Sequence, residues 1–230
     1  MKIAIQKIFS EVSKTYELVN HVLTFGLDVV WRKKATREAS QAGGTLWLDV
    51  CSGTGEMAHN LSSLASSHVK VVAVDFSPIM LSRLREKPQN QKISLALAEA
   101  NCLPFANETF NLVTISFATR NINISREDLI THFKEFYRVL KPGGRFVNLE
   151  TSQPRQKIIR RIFHLYVRLV VFPIGYLVSG SKLGYKYLSS TIRRFYRPEQ
   201  LSRFLYNAGF RVVSFKPLFL GISAIHTAFK

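Results

Sequence analysis

At 230 residues, with 47% hydrophobic and 20% charged content, the chain suits one domain with a full core and is not a disordered protein. Its formal net charge is +17, and residues 151–230 hold fourteen Lys/Arg against one acid, Glu199. That third of the chain should face something anionic: nucleic acid, lipid headgroups or an acidic protein. Cys51 and Cys102 have no CxxC partner, so no disulfide framework or zinc site is expected, and a reduced, cytoplasmic setting follows.

The N-terminus has no apolar run suited to a signal peptide. The longest charge-free apolar run, Leu169 to Val178, is interrupted by Pro173 and Gly175 and is shorter than the ~20 residues a spanning helix needs. The expectation is a chain that lies against a membrane without crossing it.

In chain order, residues 1–40 predict a helical arm with Phe25 and Trp31 as apolar anchors. TLWLDV (45–50) predicts a strand and GEMAHNLSSLA (55–65) a helix. VKVVAVD (69–75) predicts a strand, then SPIMLSRLREK (77–87) a helix capped by Ser77 with Pro78 in its first turn. ISLALA (93–98) and FNLVTISF (110–117) predict strands. SREDLITHFKEFYRVL (125–140) predicts a helix with Ser125 as cap and Asp128 at the capping-box position. KPGG (141–144) reads as a turn before the strand RFVNLE (145–150). Residues 155–190 read as mostly helical, and 198–210 as a helix stopped by Gly209. Two last strands lie near 211–217 and 222–229.

This alternation predicts a doubly wound α/β fold: a mostly parallel seven-stranded sheet with an antiparallel edge strand, in one domain over 1–230. Ligands in such sheets bind beyond the carboxyl ends of the strands. Asp49, Asp75, Glu99, Arg120 and Glu150 fall at or near those ends.

LDVCSGTGE (48–56) is a strand, a loop with Gly53, Thr54 and Gly55, and a helix start; GTGEMA matches the weaker form of the dinucleotide fingerprint. A nucleotide with a ribose would engage Asp75 through its two hydroxyls. Asp49 at the loop's mouth would repel a pyrophosphate and attract a sulfonium or ammonium, which favours S-adenosylmethionine over a dinucleotide. Asp49 also suits a plain loop-holding role. Glu99 and the backbone N–H of Ala100 suit adenine, and Ser116 suits a further cofactor hydrogen bond or a bond to its own backbone. The histidines do not cluster at metal-ligand spacing, so no metal is expected.

LDVCSGTGE, VAVDFSPIML, LPFANETFNLVTISFATRNI, FYRVLKPGGRFVNLE and AGF together resemble the class I S-adenosylmethionine methyltransferases. The stretches YELVNHVLTFGLDVVWRKK (16–34), FATRN (117–121), YKYLSSTIRRF (185–195) and GISAIH (221–226) resemble, more narrowly, the ubiquinone/menaquinone biosynthesis C-methyltransferases, from about Tyr16 to the end. Where that family has Asp this chain has Glu17, and where Asn or Asp is usual it has Glu99. Cys51–Ser52 replace Ala-Gly, and Ala118–Thr119 replace a Gly and an apolar residue.

The resemblance implies methyl transfer to a ring carbon of a prenylated quinol, naphthoquinol or benzoquinol, of the demethylmenaquinol type. For that chemistry the expectation gives Arg120 the phenol oxyanion, Asn121 the orientation of the ring hydroxyl or a water, and Tyr16 the completion of a hydrogen-bonded cluster. Arg120 stays protonated and serves as a cation, not a base. His226 reads as structural. The basic amphipathic insertion at 151–195 is expected to cover substrate and to touch an anionic membrane surface, placing the protein peripherally on the inner face of the membrane. Nucleic acid is a disfavoured partner, because the strand tip lacks the Asn/Asp-Pro-Pro-aromatic run and neither cysteine follows a proline. A small-molecule O-methyltransferase is the other alternative. Pairing with a second copy is left open.

Overall fold

The computed structural model describes residues 16–230. The arm expected before Tyr16 lies outside the described residues, as does the side chain of Tyr16 itself. Helices α1 (Tyr16–Thr24) and α2 (Leu27–Ser40) lead into β1 (Leu46–Val50) and α3 (Glu56–Leu64). β2 (Lys70–Asp75), α4 (Pro78–Glu86), β3 (Ser94–Leu97) and β4 (Phe110–Ser116) follow. Then come α5 (Arg126–Val139), β5 (Leu140–Thr151), α6 (Lys157–Tyr166), α7 (Phe172–Ser179), α8 (Lys182–Arg194), α9 (Pro198–Asn207), β6 (Val212–Leu218) and β7 (Ser223–Phe229).

One seven-stranded sheet has the order β3-β2-β1-β4-β5-β7-β6. Strands β1 to β5 pair in parallel, whereas β7 is antiparallel to both neighbours. The expected antiparallel strand is therefore present, one position in from the edge. Switching from β1 to β4 places a crevice beyond their carboxyl ends, where Asp49 and Ser116 arrive. The sheet is buried on both faces. On one, Phe133, Phe136, Phe146 and Phe210 form a ring cluster with centroids 5.4 to 6.2 Å apart. On the other, Trp31, Trp47, Met57 and Leu61 pack α2 and α3 against the strands.

Local chemistry sets the element ends. The Ser77 hydroxyl accepts the Met80 N–H, with Pro78 in the first turn of α4, as expected. The Ser125 hydroxyl accepts the Asp128 N–H at 3.1 Å. KPGG does not break the chain into turn and strand. It bulges within β5, where the register with β4 jumps from Phe110–Leu140 to Leu112–Arg145. Backbone bonds from Gly143 to Lys230 and from Lys230 to Gly144 hold that bulge on the sheet.

Two further expectations need correction. Trp31 is buried, but Phe25 is 79% exposed and anchors no core. Secondly, α6, a π-helical segment (Val167–Val171) and α7 run on as one helix of 23 residues, Lys157–Ser179. By length and composition alone that helix is long and apolar enough to cross a membrane. Pro173 fails to end it because it falls in the first turn of α7, where the wider π turn precedes it. The helix keeps one face for the protein: Phe163, Val167 and Val171 pack with Val19, Leu23, Tyr185 and Ile192.

Gly55 opens α3 at φ 90°, and a Cβ there would fall 2.5 Å from Leu84 Cγ. Gly55→Ala adds both backbone strain and overlap, about 1–3 kcal/mol for the strain alone. Its melting temperature should fall by several degrees, and calorimetry should show weakened ligand binding at the loop. An unchanged melting temperature would contradict this account.

Candidate active site

A crevice of about 130 Å³ lies beyond the ends of β1 to β4. Asp49, Gly53, Asp75, Glu99, Ala100, Ser116 and Asn121 all border it, together with Arg32 and Glu56. Thr54 and Gly55 stand behind its wall instead. The Thr54 hydroxyl donates to Glu56 Oε1 at 2.7 Å, and Gly55 starts the helix against Leu84.

Asp75 shapes the loop. Its Oδ2 accepts the Gly53 N–H at 2.8 Å and its Oδ1 the Ser77 N–H at 2.9 Å. Burial still raises its carboxyl above the ordinary range, despite those backbone donors. Each oxygen keeps acceptor capacity for a hydroxyl. Asp49 is buried at the loop's base. Its Oδ1 accepts from the Thr114 hydroxyl at 2.7 Å, whereas Oδ2 has no hydrogen-bond partner among the described residues. Burial pushes the Asp49 carboxyl up to about 7, with Glu56 and Asp75 adding to the rise and the Thr114 bond and Arg32 opposing it.

The loop is also fastened to the arm. Lys87 Nζ donates to Thr54 O at 2.9 Å, to Glu56 Oε1 at 3.0 Å, and to Glu17 on α1. Glu17, which stands where the resembled family has the shorter Asp, makes that reach.

These residues fit S-adenosylmethionine. Asp49, Glu56, Asp75 and Glu99 outnumber Arg32 around the crevice, an arrangement that welcomes a cation and repels a pyrophosphate. The unpartnered Oδ2 of Asp49 is an acceptor awaiting a donor. Asp49 and Glu56 would hold the cationic end, Asp75 the ribose, and Glu99 with Ala100 the adenine.

A second cavity, about 410 Å³, adjoins the first and shares Arg32 with it. Its walls are mostly apolar: Leu23, Phe25, Trp31, Phe117, Phe163, Val167, Val171, Leu188, Ile192 and Ile222. The polar groups in it are few: Asn20, Thr24, Asp28, Arg32, Arg120, Thr151 and the Tyr166 phenol. Arg32 donates to Asp28 Oδ2 at 2.6 Å, and its guanidinium lies 5.2 Å from the Phe117 ring centroid. Burial pushes the Asp28 carboxyl up, but Arg32, Thr24 and His21 together hold it below its ordinary value.

The strand tip divides between the two spaces. Arg120 borders the apolar cavity and Asn121 the crevice. Arg120 is 6% exposed and is ion-paired. Its Nη1 donates to Glu150 Oε1 at 2.6 Å, and its backbone N–H donates to Oε2 at 3.1 Å. Glu150, 1% exposed, also accepts the Thr151 N–H and hydroxyl at 2.7 and 2.9 Å. The parallel pairing of β4 with β5 brings the two strand ends together, so Glu150 offsets much of the Arg120 charge. Tyr187 on α8 feels both: burial raises its phenol, Arg120 lowers it and Glu150 raises it. His226 is buried, with Nε2 3.1 Å from Pro198 O, and borders neither space.

Sequence reasoning placed Glu150 at a strand end without seeing its partner, and passed over Asp28 and Arg32. Their four-residue spacing on one helix face was the available signal.

The Asp49 geometry gives a pH dependence. Its folded-state pKa lies above the unfolded value of ~3.9, so apo stability is lost as pH rises towards 7 and the buried carboxyl ionises. A cationic ligand needs the ionised form. Calorimetric affinity for S-adenosylmethionine should therefore weaken by about tenfold per pH unit below 7. Asp49→Asn should bind at least tenfold more weakly at pH 8, yet melt no lower than the wild-type apoprotein. Retained affinity in the variant would remove Asp49 from the site.

Comparisons with known proteins bear on the fold and the family. Solved S-adenosylmethionine-dependent methyltransferases from Thermotoga maritima and Aquifex aeolicus superpose with TM-scores of 0.69 and 0.61, at 18% and 16% identity. The first covers 97% of this chain and 98% of the other; the second covers 86% and 88%. At such identities they show the fold. Demethylmenaquinone methyltransferases from Staphylococcus aureus strains JH9 and Newman are each 35% identical over 227 residues, covering 98% of this chain and 92% of theirs. The model of the ubiE/COQ5 methyltransferase family matches residues 1–230, and the chain belongs to that family.

Proposed function

We propose that this S-adenosylmethionine-dependent C-methyltransferase methylates a ring carbon of a prenylated quinol, converting demethylmenaquinol to menaquinol, with a benzoquinol as a further acceptor. One observation carries the reading: a roomy apolar cavity with a small group of polar side chains, which shares Arg32 as a wall with the cofactor crevice. Such a lining suits a greasy body with one or two hydroxyls. The printed names of the Staphylococcus aureus relatives support a naphthoquinol.

Bound S-adenosylmethionine supplies an electrophilic methyl on a sulfonium. The chain's own residues must make the acceptor carbon nucleophilic. A phenol of pKa ~10 is mostly protonated at pH 7, a deficit of ~4 kcal/mol. Ionising it pushes electron density onto the ortho carbon. Arg120 offers fixed guanidinium donors in a water-poor wall, where each is worth more than in bulk solvent. Glu150, itself bonded by Thr151, holds that guanidinium in place, and the neutral couple acts chiefly through aimed hydrogen bonds. In this reading Asn121 orients the hydroxyl or a water, and Tyr16 completes the cluster that passes the proton out. Nothing in this chemistry requires a metal.

The tail of the acceptor explains the cationic C-terminal third. A prenylated quinol resides in a bilayer, so its enzyme works at a membrane surface. With about five cations at ~1 kcal/mol each, residues 157–188 would hold the protein peripherally on an anionic inner leaflet.

Incubation with labelled cofactor and each demethyl-quinol, followed by product identification, tests the reading; the expected product carries the label on a ring carbon, and label on oxygen rejects it. Arg120→Ala should bind cofactor with wild-type affinity and lose about 10²–10³ in turnover. It also leaves Glu150 without its ion-pair partner, so a melting curve should accompany the kinetics. Unchanged turnover would dismiss the role given to Arg120.

A further inference from the structure

Besides the buried Phe117 at φ 54°, three large apolar residues adopt left-handed backbone conformations that such side chains rarely take: Phe25 at φ 52°, Phe219 at φ 40° and Leu220 at φ 58°. All three are also exposed, by 79, 56 and 68%. Strain of this kind persists only where the surrounding structure enforces it, and it clusters at functional sites. The residues lie on two separate turns, one between α1 and α2, the other between β6 and β7. Both turns border the acceptor cavity.

Exposure and cavity lining together make these residues a rim. The rim continues along the 23-residue helix Lys157–Ser179, where Ile158, Ile162, Leu165 and Leu169 follow a 4-3-4 spacing and are 55 to 62% exposed. Ile162 borders the cavity as well. Lys157, Arg161 and Arg168 stand exposed beside that stripe, and no acid occurs between Thr151 and Pro198. A contiguous apolar patch with interleaved cations matches hydrocarbon beneath an anionic headgroup layer.

We propose that Phe25 and the Phe219–Leu220 pair are two prongs that enter the hydrocarbon edge of a lipid bilayer and seat the mouth of the acceptor cavity against it. The ring then enters the cavity while its tail stays among lipid chains. This inference rests on the reading of the acceptor as prenylated, and adds the face and the residues that meet the membrane. The cations of that helix contribute attraction from a distance, and the prongs contribute the apolar hold.

Flotation of the full chain with phosphatidylcholine vesicles, with and without phosphatidylglycerol, tests it. Phe25→Gly and Leu220→Gly place glycine where φ is positive, so the double variant should melt no lower than wild type. It should keep its affinity for S-adenosylhomocysteine, whose crevice these residues do not border. Its partition onto both vesicle types should fall at least tenfold. A Lys157/Arg161/Arg168→Gln variant should lose partition onto the anionic vesicles alone. Wild-type partition by the double variant would overturn the proposal, as would a wild type that ignores phosphatidylcholine, or a double variant that unfolds and loses cofactor binding. A wild type that floats, with a variant that does not, sustains the docking face even if no quinol is methylated; that pair of results would reject the acceptor reading alone.

Discussion

The buried ion pair between Arg120 and Glu150 fixes the strand tip that stands between the two cavities. Taking two charges out of water is unfavourable unless geometry and further hydrogen bonds compensate. Here two bonds from Arg120 and two from Thr151 converge on one carboxylate. They do so because β4 and β5 are adjacent and parallel, so their carboxyl ends emerge side by side. Removing either partner leaves a buried charge, a loss of about 3–5 kcal/mol. The tip of β4 therefore has little freedom, and Arg120 and Asn121 are held facing different spaces.

Electrostatics divides those spaces. The crevice carries an excess of carboxylates, several raised by burial, and is poised for a cationic ligand. The neighbouring cavity is apolar, and its charges occur as matched pairs: Asp28 with Arg32, Glu150 with Arg120. Arg32 belongs to both, 2.6 Å from Asp28 and 4.0 Å from Glu56 across the crevice side. A site built this way accepts a charged donor on one side and a neutral acceptor on the other.

Much of the architecture was legible in the residues. Short apolar runs alternating with helical stretches, the Ser77 and Ser125 caps and the Gly53–Gly55 loop placed the sheet and its helices to within a few residues. What stayed hidden depends on neighbours distant in sequence. Glu150 lies thirty positions from Arg120, and only the strand order brings them together. Phe25 reads as a core anchor because its side chain is large and apolar, but a left-handed turn carries it outward. Pro173 reads as a break, and the π segment before it lets the helix continue. Thr54 and Gly55 belong to the loop's motif, yet they support the wall from behind.

The outer stripe of the 23-residue helix has a consequence away from any bilayer. Fully burying one such aliphatic side chain is worth about 1.5–3 kcal/mol, and four of them, Ile158, Ile162, Leu165 and Leu169, remain largely wet in aqueous buffer. A protein dissolved in this state carries unrealised adhesive energy on one flank. Detergent micelles, or other copies at high concentration, will compete for that flank, so colloidal behaviour during purification reports on the same surface as the proposed membrane attachment.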